Sequence, residues 1–451
     1  MVSSAAGAPY VASAGKGVHF SALDFLGRAF HCSRRTGVLM ADRARKAFRL
    51  DAIGQAGLGL SLGAAAEYFG VLATWYGAGV YLLALISSAP FLTNLFAPMW
   101  SQQSKRYGVQ KLVVASLVGS GIVLVLMYRV TKPSTFAFMA VLFYLFFGAT
   151  DPLYVILADE AYSGQSSRFV GKAESIFSLV HAIGATIVGK FTDLVGTALG
   201  MLGGAVGSWL AALAYGLFPS TARHECGNGG EADSSPWNLF RRNHSMRSLV
   251  LAFMVPATGM VLMLPAMPIV EVRLAGLTNT RIGYLFGTNS LTWFASAYMW
   301  GKVLEKRETL WAFQIAMLSM AAMALLYGFL HTFAALLAAN VFCAFGGSAI
   351  SVGWRVQAMR LEGVSAEDVA GLHLFTCGLR GLVVPVVAAR IIDSFGVGVN
   401  CAVSAGLLLA GVVLFDNYAI RFHLRGDSVP LLAAERSSGR DPAEETADPA
   451  D

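Results

Sequence analysis

Long apolar runs separated by short polar stretches cover most of the chain between residues 51 and 418. Each run is close to the roughly 20 residues that an α-helix needs to cross a bilayer. The runs are continuous rather than alternating, which favours helices over the strands of a membrane barrel. The pattern predicts two groups of six spans. The first group covers 51–73, 79–100, 110–129, 135–158, 172–190 and 197–217, and the second covers 248–269, 282–301, 310–330, 333–354, 368–390 and 397–418.

Polar segments divide the chain into five regions. The two six-helix halves are 51–217 and 248–418, joined by a polar linker at 218–247. The extension at 1–50 contains apolar residues at helical spacing followed by basic ones, a pattern that fits either a helix lying on the membrane surface or an unstructured basic segment. The tail at 419–451 is rich in Pro, Ala and acidic residues, and we expect it to be disordered.

Composition agrees with a membrane protein. Of the 451 residues, 56% are hydrophobic and 13% are charged, and the mean hydropathy is +0.60. A soluble domain carries about 25% charged residues, so a soluble fold is excluded. The five cysteines are scattered and form no C-x-x-C pair, so we expect no disulfide framework, no metal site and no cofactor.

Lys and Arg are distributed unevenly over the two sides of the predicted bundle. If the N-terminus is cytoplasmic, 26 of them fall on the cytoplasmic side and six on the other, with Arg380 left inside a span. Cytoplasmic loops of membrane proteins carry an excess of basic residues. We therefore expect a multi-pass protein of the plasma (inner) membrane with both termini in the cytoplasm.

The two halves repeat each other at an offset of 200 residues. "APMWSQQSKRYG" (97–108) and "AYMWGKVLEKRE" (297–308) share Ala, Met and Trp at matching positions. The segments 169–196 and 369–396 also match at this offset. Their shared positions are Gly171/Gly371, Lys190/Arg390, Asp193/Asp393 and Gly196/Gly396. Two copies of one six-helix unit, related by an axis along the membrane normal, explain the repeat.

The chain resembles the major facilitator superfamily, over about 50–420. The family motif G-x-x-x-D-R-x-G-R-[RK] between helices 2 and 3 is matched in part by "SQQSKRYGVQK" (101–111), and "GKVLEKRE" (301–308) keeps the small residue and the acid that the first copy lacks. The resemblance implies that these two loops are hinges that close the cytoplasmic side. The hinge-loop residues are Ser101, Lys105, Arg106, Gly108, Gly301, Glu305 and Lys306.

Ionisable residues inside spans are costly, so each is a candidate for function. Asp151 lies within the fourth span beside Pro152 and shares a helix face with Tyr144 and Tyr154. The family resemblance implies that helices 1, 4, 7 and 10 line a central cavity. Asp151 could therefore carry a proton, or it could be a structural acid bonded to a neighbouring helix.

Three further charged or titratable residues lie in spans. Glu67 in the first span could coordinate substrate or could lie at the edge of the outer vestibule. His181 in the fifth span could relay protons or serve as a hydrogen-bonded packing residue. Arg380 in the eleventh span needs a carboxylate, carbonyls or an anionic ligand, and a structural ion pair is the simplest of these.

The seventh span contains residues that weaken helical hydrogen bonding. These are Pro256, Gly259, Pro265 and Pro268. A bent helix here fits a gate that flexes at the outer side, and a static kink fits the same residues.

Together these features predict a secondary transporter that moves a small amphipathic organic solute by alternating access, driven by protons or another coupling ion. The alternative is a non-transporting membrane protein of the same fold, such as a sensor, an assembly factor or a pigment-delivery protein. No nucleophile–base constellation indicates an enzyme. We expect the partners to be the solute, the coupling ion and the lipid bilayer, with no nucleic acid, and we expect a monomer.

The predicted topology can be tested by labelling. Cysteines introduced at Ser234 in the linker and Ser438 in the tail should resist membrane-impermeant reagents in intact cells, because both positions are expected in the cytoplasm. Labelling of both positions from outside the cell would show that the orientation is the opposite of the one predicted.

Overall fold

The chain is helical wherever its structure is described. The computed structural model describes residues 46–150, 152–154, 156–157, 166–195, 198–219, 240, 244–304, 307, 309–360 and 366–421. No residue in these ranges lies in a strand. The described residues from Ala47 onward form one compact unit. The all-helical fold class expected from the apolar runs is confirmed.

The helices are numbered α1 to α12 in chain order, and an interrupted helix keeps one number. In the first half they are α1 (Lys46–Trp75), α2 (Val80–Leu95, continued by Ala97–Tyr107), α3 (Val109–Met127), α4 (Pro133–Phe147, with its span reaching Tyr154), α5 (Ser166–Val195) and α6 (Ala198–Gly216). In the second half they are α7 (His244–Met263, continued by Ala266–Ile269 and Val270–Leu274), α8 (Asn279–Leu304), α9 (Thr309–Phe329), α10 (Phe333–Arg360), α11 (Ala366–Phe395) and α12 (Val397–Arg421).

Ten of these helices are long and apolar enough to cross a membrane. The two others are α2, whose apolar part Val80–Leu95 is shorter, and α8, which has 26 residues and a more polar sequence. Both lie where the sequence predicts a span. Ten spans are therefore established by length and composition in the described chain, and the full set of twelve stays a prediction.

α1 and α7 lose regular α-helical geometry at equivalent positions of the repeat. α1 is interrupted at Ala65 (φ −124°, ψ −59°) and continues as the 3₁₀ turn Ala66–Tyr68. α7 is interrupted at 264–265 and ends in the π-helical segment Val270–Leu274. Pro265 lacks the backbone N–H that a continuous helix requires, which explains the second break.

Side chains of α12 hydrogen-bond to carbonyl groups near the break in α7. The buried Asn400 donates from Nδ2 to Leu262 O at 2.9 Å, and the buried Ser404 donates from Oγ to Gly259 O at 2.6 Å. An unpaired carbonyl in the membrane interior costs several kcal/mol by order of magnitude. α12 therefore stabilises α7 in its interrupted form.

Close contact between the halves depends on glycines. α5 packs against α8, and α2 packs against α11. A Cβ atom added at Gly283 would lie 2.8 Å from Ala185 O, and one added at Gly381 would collide with Phe91. Small residues allow helix backbones to approach in membranes. A larger residue at either position would force the halves apart.

Asp193 of α5 caps the N-terminus of α8 in the other half. Its carboxylate accepts hydrogen bonds from the backbone N–H groups of Asn279 (3.1 Å) and Thr280 (2.8 Å). It also accepts from Asn279 Nδ2 at 2.9 Å and Thr280 Oγ1 at 2.6 Å. The first N–H groups of a helix have no partner within the helix, so the carboxylate satisfies donors that would otherwise lack one.

The repeat-equivalent acid makes no such cap. Asp393 lies 3.9 Å from Arg390 in an exposed contact, and α2 begins at Val80 after the N-cap residue Gly79, with no side-chain hydrogen bond at the cap. The helix cap by which Asp193 joins α5 to α8 thus has no counterpart between α11 and α2 in the described chain.

The asymmetry predicts different stabilities for two matched variants. Asp193→Ala should lower the free energy of unfolding by about 1 kcal/mol, the usual effect of losing an N-cap. Asp393→Ala should change it less, because an exposed ion pair contributes little. Thermal unfolding of both purified variants would measure the difference, and equal melting temperatures would contradict the capping role of Asp193.

Candidate functional site

The break in α1 presents Glu67 to the space between the two halves. Glu67 lies in the 3₁₀ turn Ala66–Tyr68, and its side chain is 42% exposed although α1 crosses the membrane. It lies within electrostatic range of Tyr144 on α4, Glu271 on α7 and Cys343 on α10. The carboxylate therefore faces the centre of the bundle.

His181 of α5 connects Glu67 to the other half. Its Nε2 lies 3.2 Å from Glu67 Oε1, and its Nδ1 lies 2.7 Å from the Oγ of Ser290 on α8. The imidazole is nearly enclosed, with 9% of its side chain exposed. A single buried ring thus joins α1 and α5 of the first half to α8 of the second.

Two arrangements of hydrogens fit the contacts around His181. Ser290 Oγ lies 3.1 Å from Phe286 O and 2.7 Å from His181 Nδ1, and it has one hydrogen to donate to one of them. If Ser290 donates to Phe286 O, His181 Nδ1 donates to Ser290, and Nε2 and Glu67 Oε1 can then hydrogen-bond only through a further proton between them. If Ser290 donates to Nδ1, the ring hydrogen lies on Nε2 and is donated to the Glu67 carboxylate.

The π-helical end of α7 carries a second acid, which the sequence analysis did not select. Glu271 is 1% exposed, and its Oε1 accepts a hydrogen bond from Tyr327 OH at 2.7 Å. Tyr327 OH itself accepts from Asn340 Nδ2 at 2.9 Å, which directs the tyrosine hydrogen to Glu271. Asn289 Nδ2 donates to Asn340 O at 3.3 Å and connects this group to α8.

These residues form two polar groups, here called together the central polar site. Glu67, His181 and Ser290 link the two halves, and Glu271, Tyr327 and Asn340 lie within the second half. The two acids of the site come from the interrupted helices α1 and α7, in agreement with the transporter pattern in which discontinuous helices supply the binding groups. Of the six side chains, that of Glu67 is exposed, whereas the other five are buried and hydrogen-bonded to partners within the two groups.

Tyr144 and Tyr154, which share a predicted face on α4, have different partners in the structure. Tyr144 packs edge-on against Phe69, with ring centroids 5.9 Å apart, and lies near Glu67. Tyr154 OH donates to Asp51 Oδ2 at 3.0 Å, and Tyr215 OH donates to Asp51 Oδ1 at 3.3 Å. Asp51 is fully buried and is a second acid that the sequence analysis missed.

Asp151 itself lies outside the described residues. Its proposed role as a proton carrier stays a prediction.

Arg380 is buried in α11 and contacts sulfur atoms. It is 6% exposed, with Nη2 at 3.2 Å from Cys377 Sγ and Nη1 at 3.6 Å from Met254 Sδ. Its Nε has no hydrogen-bond partner in the described part of the chain. The structural ion pair expected for this residue is not present among the described side chains.

The hinge-loop residues are described only in part. Gly108 joins α2 to α3 with φ +87°, a conformation that glycine adopts without strain, and Arg106 is exposed and lies over the ring of Tyr107. A Cβ at Gly301 would meet no atom within 4 Å. The side chains of Ser101 and Lys105 are not described, and Glu305 and Lys306 lie outside the described residues.

The predicted gate residues lie at or near the break in α7. Pro265 lies at the interruption, Pro256 is within the regular helix before it, and Gly259 accepts the bond from Ser404. Pro268 lies 3.2 Å from the position of a Cβ at Gly70, so α7 meets α1 just beyond the two breaks.

A metal ion is not indicated by the described side chains. No group of three or more His, Cys, Asp or Glu residues that could hold one occurs in that part of the chain.

Comparison with known proteins agrees with this architecture. A search of curated sequences found no significant match. Among solved structures, the nucleoside transporter NupG aligns with a TM-score of 0.62 and 12% identity over 84% of this chain and 99% of its own. A point mutant of NupG aligns with a TM-score of 0.67 and 12% identity over 84% of this chain and 100% of its own. At this identity the likeness establishes the fold.

The sequence itself identifies the family. The model of the Major Facilitator Superfamily matches residues 47–385, most of the chain, and thereby confirms the resemblance noted in the hinge loops. The chain belongs to the Major Facilitator Superfamily, a family of membrane transporters rather than enzymes.

Proposed function

We propose that this protein is a proton-coupled secondary transporter of a small amphipathic organic solute, with both termini in the cytoplasm. Membership of a transporter family and a polar site between two repeated halves support this proposal. Transporters of this kind bind substrate near the middle of the membrane, where two repeats meet, and expose the site to each side in turn. The central polar site would serve as the solute and proton site.

The observation that carries the proposal is the Glu67–His181–Ser290 contact. We assign the hydrogen of Ser290 to Phe286 O, so the contact needs a proton between Glu67 and His181, and it joins the two halves that must move relative to each other. When the proton leaves, Nε2 and Oε1 become two acceptors at 3.2 Å, which repel. Deprotonation would therefore weaken the link between α5 and α8 and favour another arrangement of the halves.

The two acids of the site have different access to water, and we assign them different roles. Glu67 is partly exposed and can exchange a proton with a water-filled cavity. Glu271 is sealed between Tyr327 and the core of the second half. We therefore assign proton exchange to Glu67 with His181, and positioning of α7 to Glu271.

The solute is expected to be small and only lightly charged. The groups of the central polar site include hydroxyls and amides, with Phe69 and Tyr144 packed nearby. Nucleosides are a first class to test, because they combine an apolar ring with hydroxyl groups and because the structural relative is described as a nucleoside transporter.

The coupling role of Glu67 predicts a specific defect. Glu67→Gln retains the size and polarity of the side chain but cannot release a proton, so in proteoliposomes it should abolish accumulation driven by a pH gradient and spare solute exchange at equal pH. His181→Gln should have the same effect. Radiolabelled solute uptake with and without an imposed gradient measures both. Accumulation at the wild-type level in Glu67→Gln would exclude Glu67 as the proton-coupling residue and leave Asp151 as the candidate.

Glu271→Gln provides the matched control within the same site. The amide oxygen can still accept the hydrogen bond from Tyr327, so α7 should stay in place and pH-driven accumulation should persist. Loss of accumulation in Glu271→Gln, together with normal accumulation in Glu67→Gln, would reverse the assignment of the two acids.

A further inference from the structure

The guanidinium of Arg380 is buried without an anionic partner among the described residues. It is 6% exposed, and no Asp or Glu of the described chain lies within ion-pair distance of it. Within the described chain its contacts are to two sulfur atoms, which are weak acceptors, and its Nε hydrogen has no acceptor there. Buried cations in proteins are normally paired or bound to an anion, so this arrangement is incomplete as a structural element.

A second buried donor lies in the same group of helices. Trp354 of α10 is 7% exposed, and its indole Nε1–H also has no acceptor among the described residues. His373 of α11 lies on the indole with ring centroids 4.3 Å apart, and Phe253 of α7 lies 5.3 Å from it on the same measure. His373 Nε2 is 3.6 Å from Cys377 Sγ, which in turn contacts Arg380. Two unmet N–H donors thus adjoin an aromatic surface.

This combination matches one class of ligand. A fixed positive charge repels metal cations, so the His373–Cys377 pair beside Arg380 is unsuited to a metal ion. The planar guanidinium matches the two oxygens of a carboxylate, and aromatic rings pack against an apolar ligand body. A single cation suits a single negative charge rather than a polyanion.

We propose that Arg380 and Trp354 bind the carboxylate of a small aromatic or amphipathic organic acid between α7, α10 and α11. Binding to this site does not depend on the transport proposal. The identification of this acid as the transported solute does rest on it. A carboxylate bound there would accept from Arg380 Nε and Trp354 Nε1, the two donors that lack partners.

Binding can be measured on the whole protein in nanodiscs of neutral phosphatidylcholine. Indole-3-acetate should raise the melting temperature with increasing concentration, whereas its uncharged analogue indole-3-acetamide should bind at least about tenfold more weakly, because it lacks the charge-assisted hydrogen bonds. Arg380→Gln should weaken acetate binding by about tenfold or more, and Trp354→Phe, which keeps an aromatic ring, should weaken it by a smaller factor.

Arg390→Gln is the matched control, because Arg390 belongs to the same helix but has an exposed side chain paired with Asp393. It should bind indole-3-acetate like the wild type. Without ligand, Arg380→Met should fold at least as stably as the wild type, because it removes a buried charge that has no anionic partner in the described part of the chain. A melting temperature well below that of the wild type would mean that Arg380 has a structural partner and would overturn the proposal.

Three further results would overturn it. The first is equal binding of the acetate and the acetamide, and the second is unchanged acetate binding by Arg380→Gln. The third is stabilisation by anionic phosphatidylglycerol with no effect of the acetate in neutral lipid, which would assign the site to a lipid headgroup. Failure of the transport proposal is distinguishable. Arg380-dependent binding without uptake would contradict transport alone, and pH-driven uptake that is unaffected by Arg380→Gln would contradict only the identification of the bound acid as the transported solute.

Discussion

The contact of His181 with Glu67 and Ser290 is the interaction on which the proposed coupling depends. When Ser290 donates its hydrogen to Phe286 O, the imidazole donates to Ser290, and the other ring nitrogen then needs a proton to remain beside the carboxyl group. The same ring joins α1, α5 and α8. In the proposed function, protonation of this contact and packing of the two halves are therefore parts of one equilibrium.

The helix breaks make this arrangement accessible. In a continuous α1, the direction of the Glu67 side chain would follow the regular period of the α-helix. The 3₁₀ turn has a different period and therefore changes the direction of that side chain. The break in α7 similarly precedes the π segment that carries Glu271, and α12 stabilises it through Asn400 and Ser404. Irregular backbone in a membrane is tolerated where such partners satisfy it. The cap that Asp193 forms on the N-terminus of α8 adds a second polar link between the halves.

The sequence predicted the class of fold well because bilayer thickness and helix length are directly related. It also selected Glu67, His181 and Arg380, because an ionisable group in an apolar run is conspicuous. It did not select Glu271, since the predicted seventh span ends at residue 269 and the π segment that carries Glu271 continues beyond it. Ser290 and Asn340 are ordinary small polar residues in sequence, and only tertiary packing reveals their partners. The absence of an ion pair at Arg380 within the described chain likewise depends on which helices surround it.

The most direct test of the shared proton is ¹⁵N solid-state NMR of the histidine-labelled protein in lipid, with the His181 signals assigned by their loss in His181→Gln. The account predicts that Nδ1 carries a hydrogen whichever partner holds the shared proton, and that the Nε2 signal changes in Glu67→Gln. A His181 tautomer with Nδ1 unprotonated and Nε2 protonated would mean that Ser290 donates to the ring, and it would contradict the shared proton on which the coupling depends.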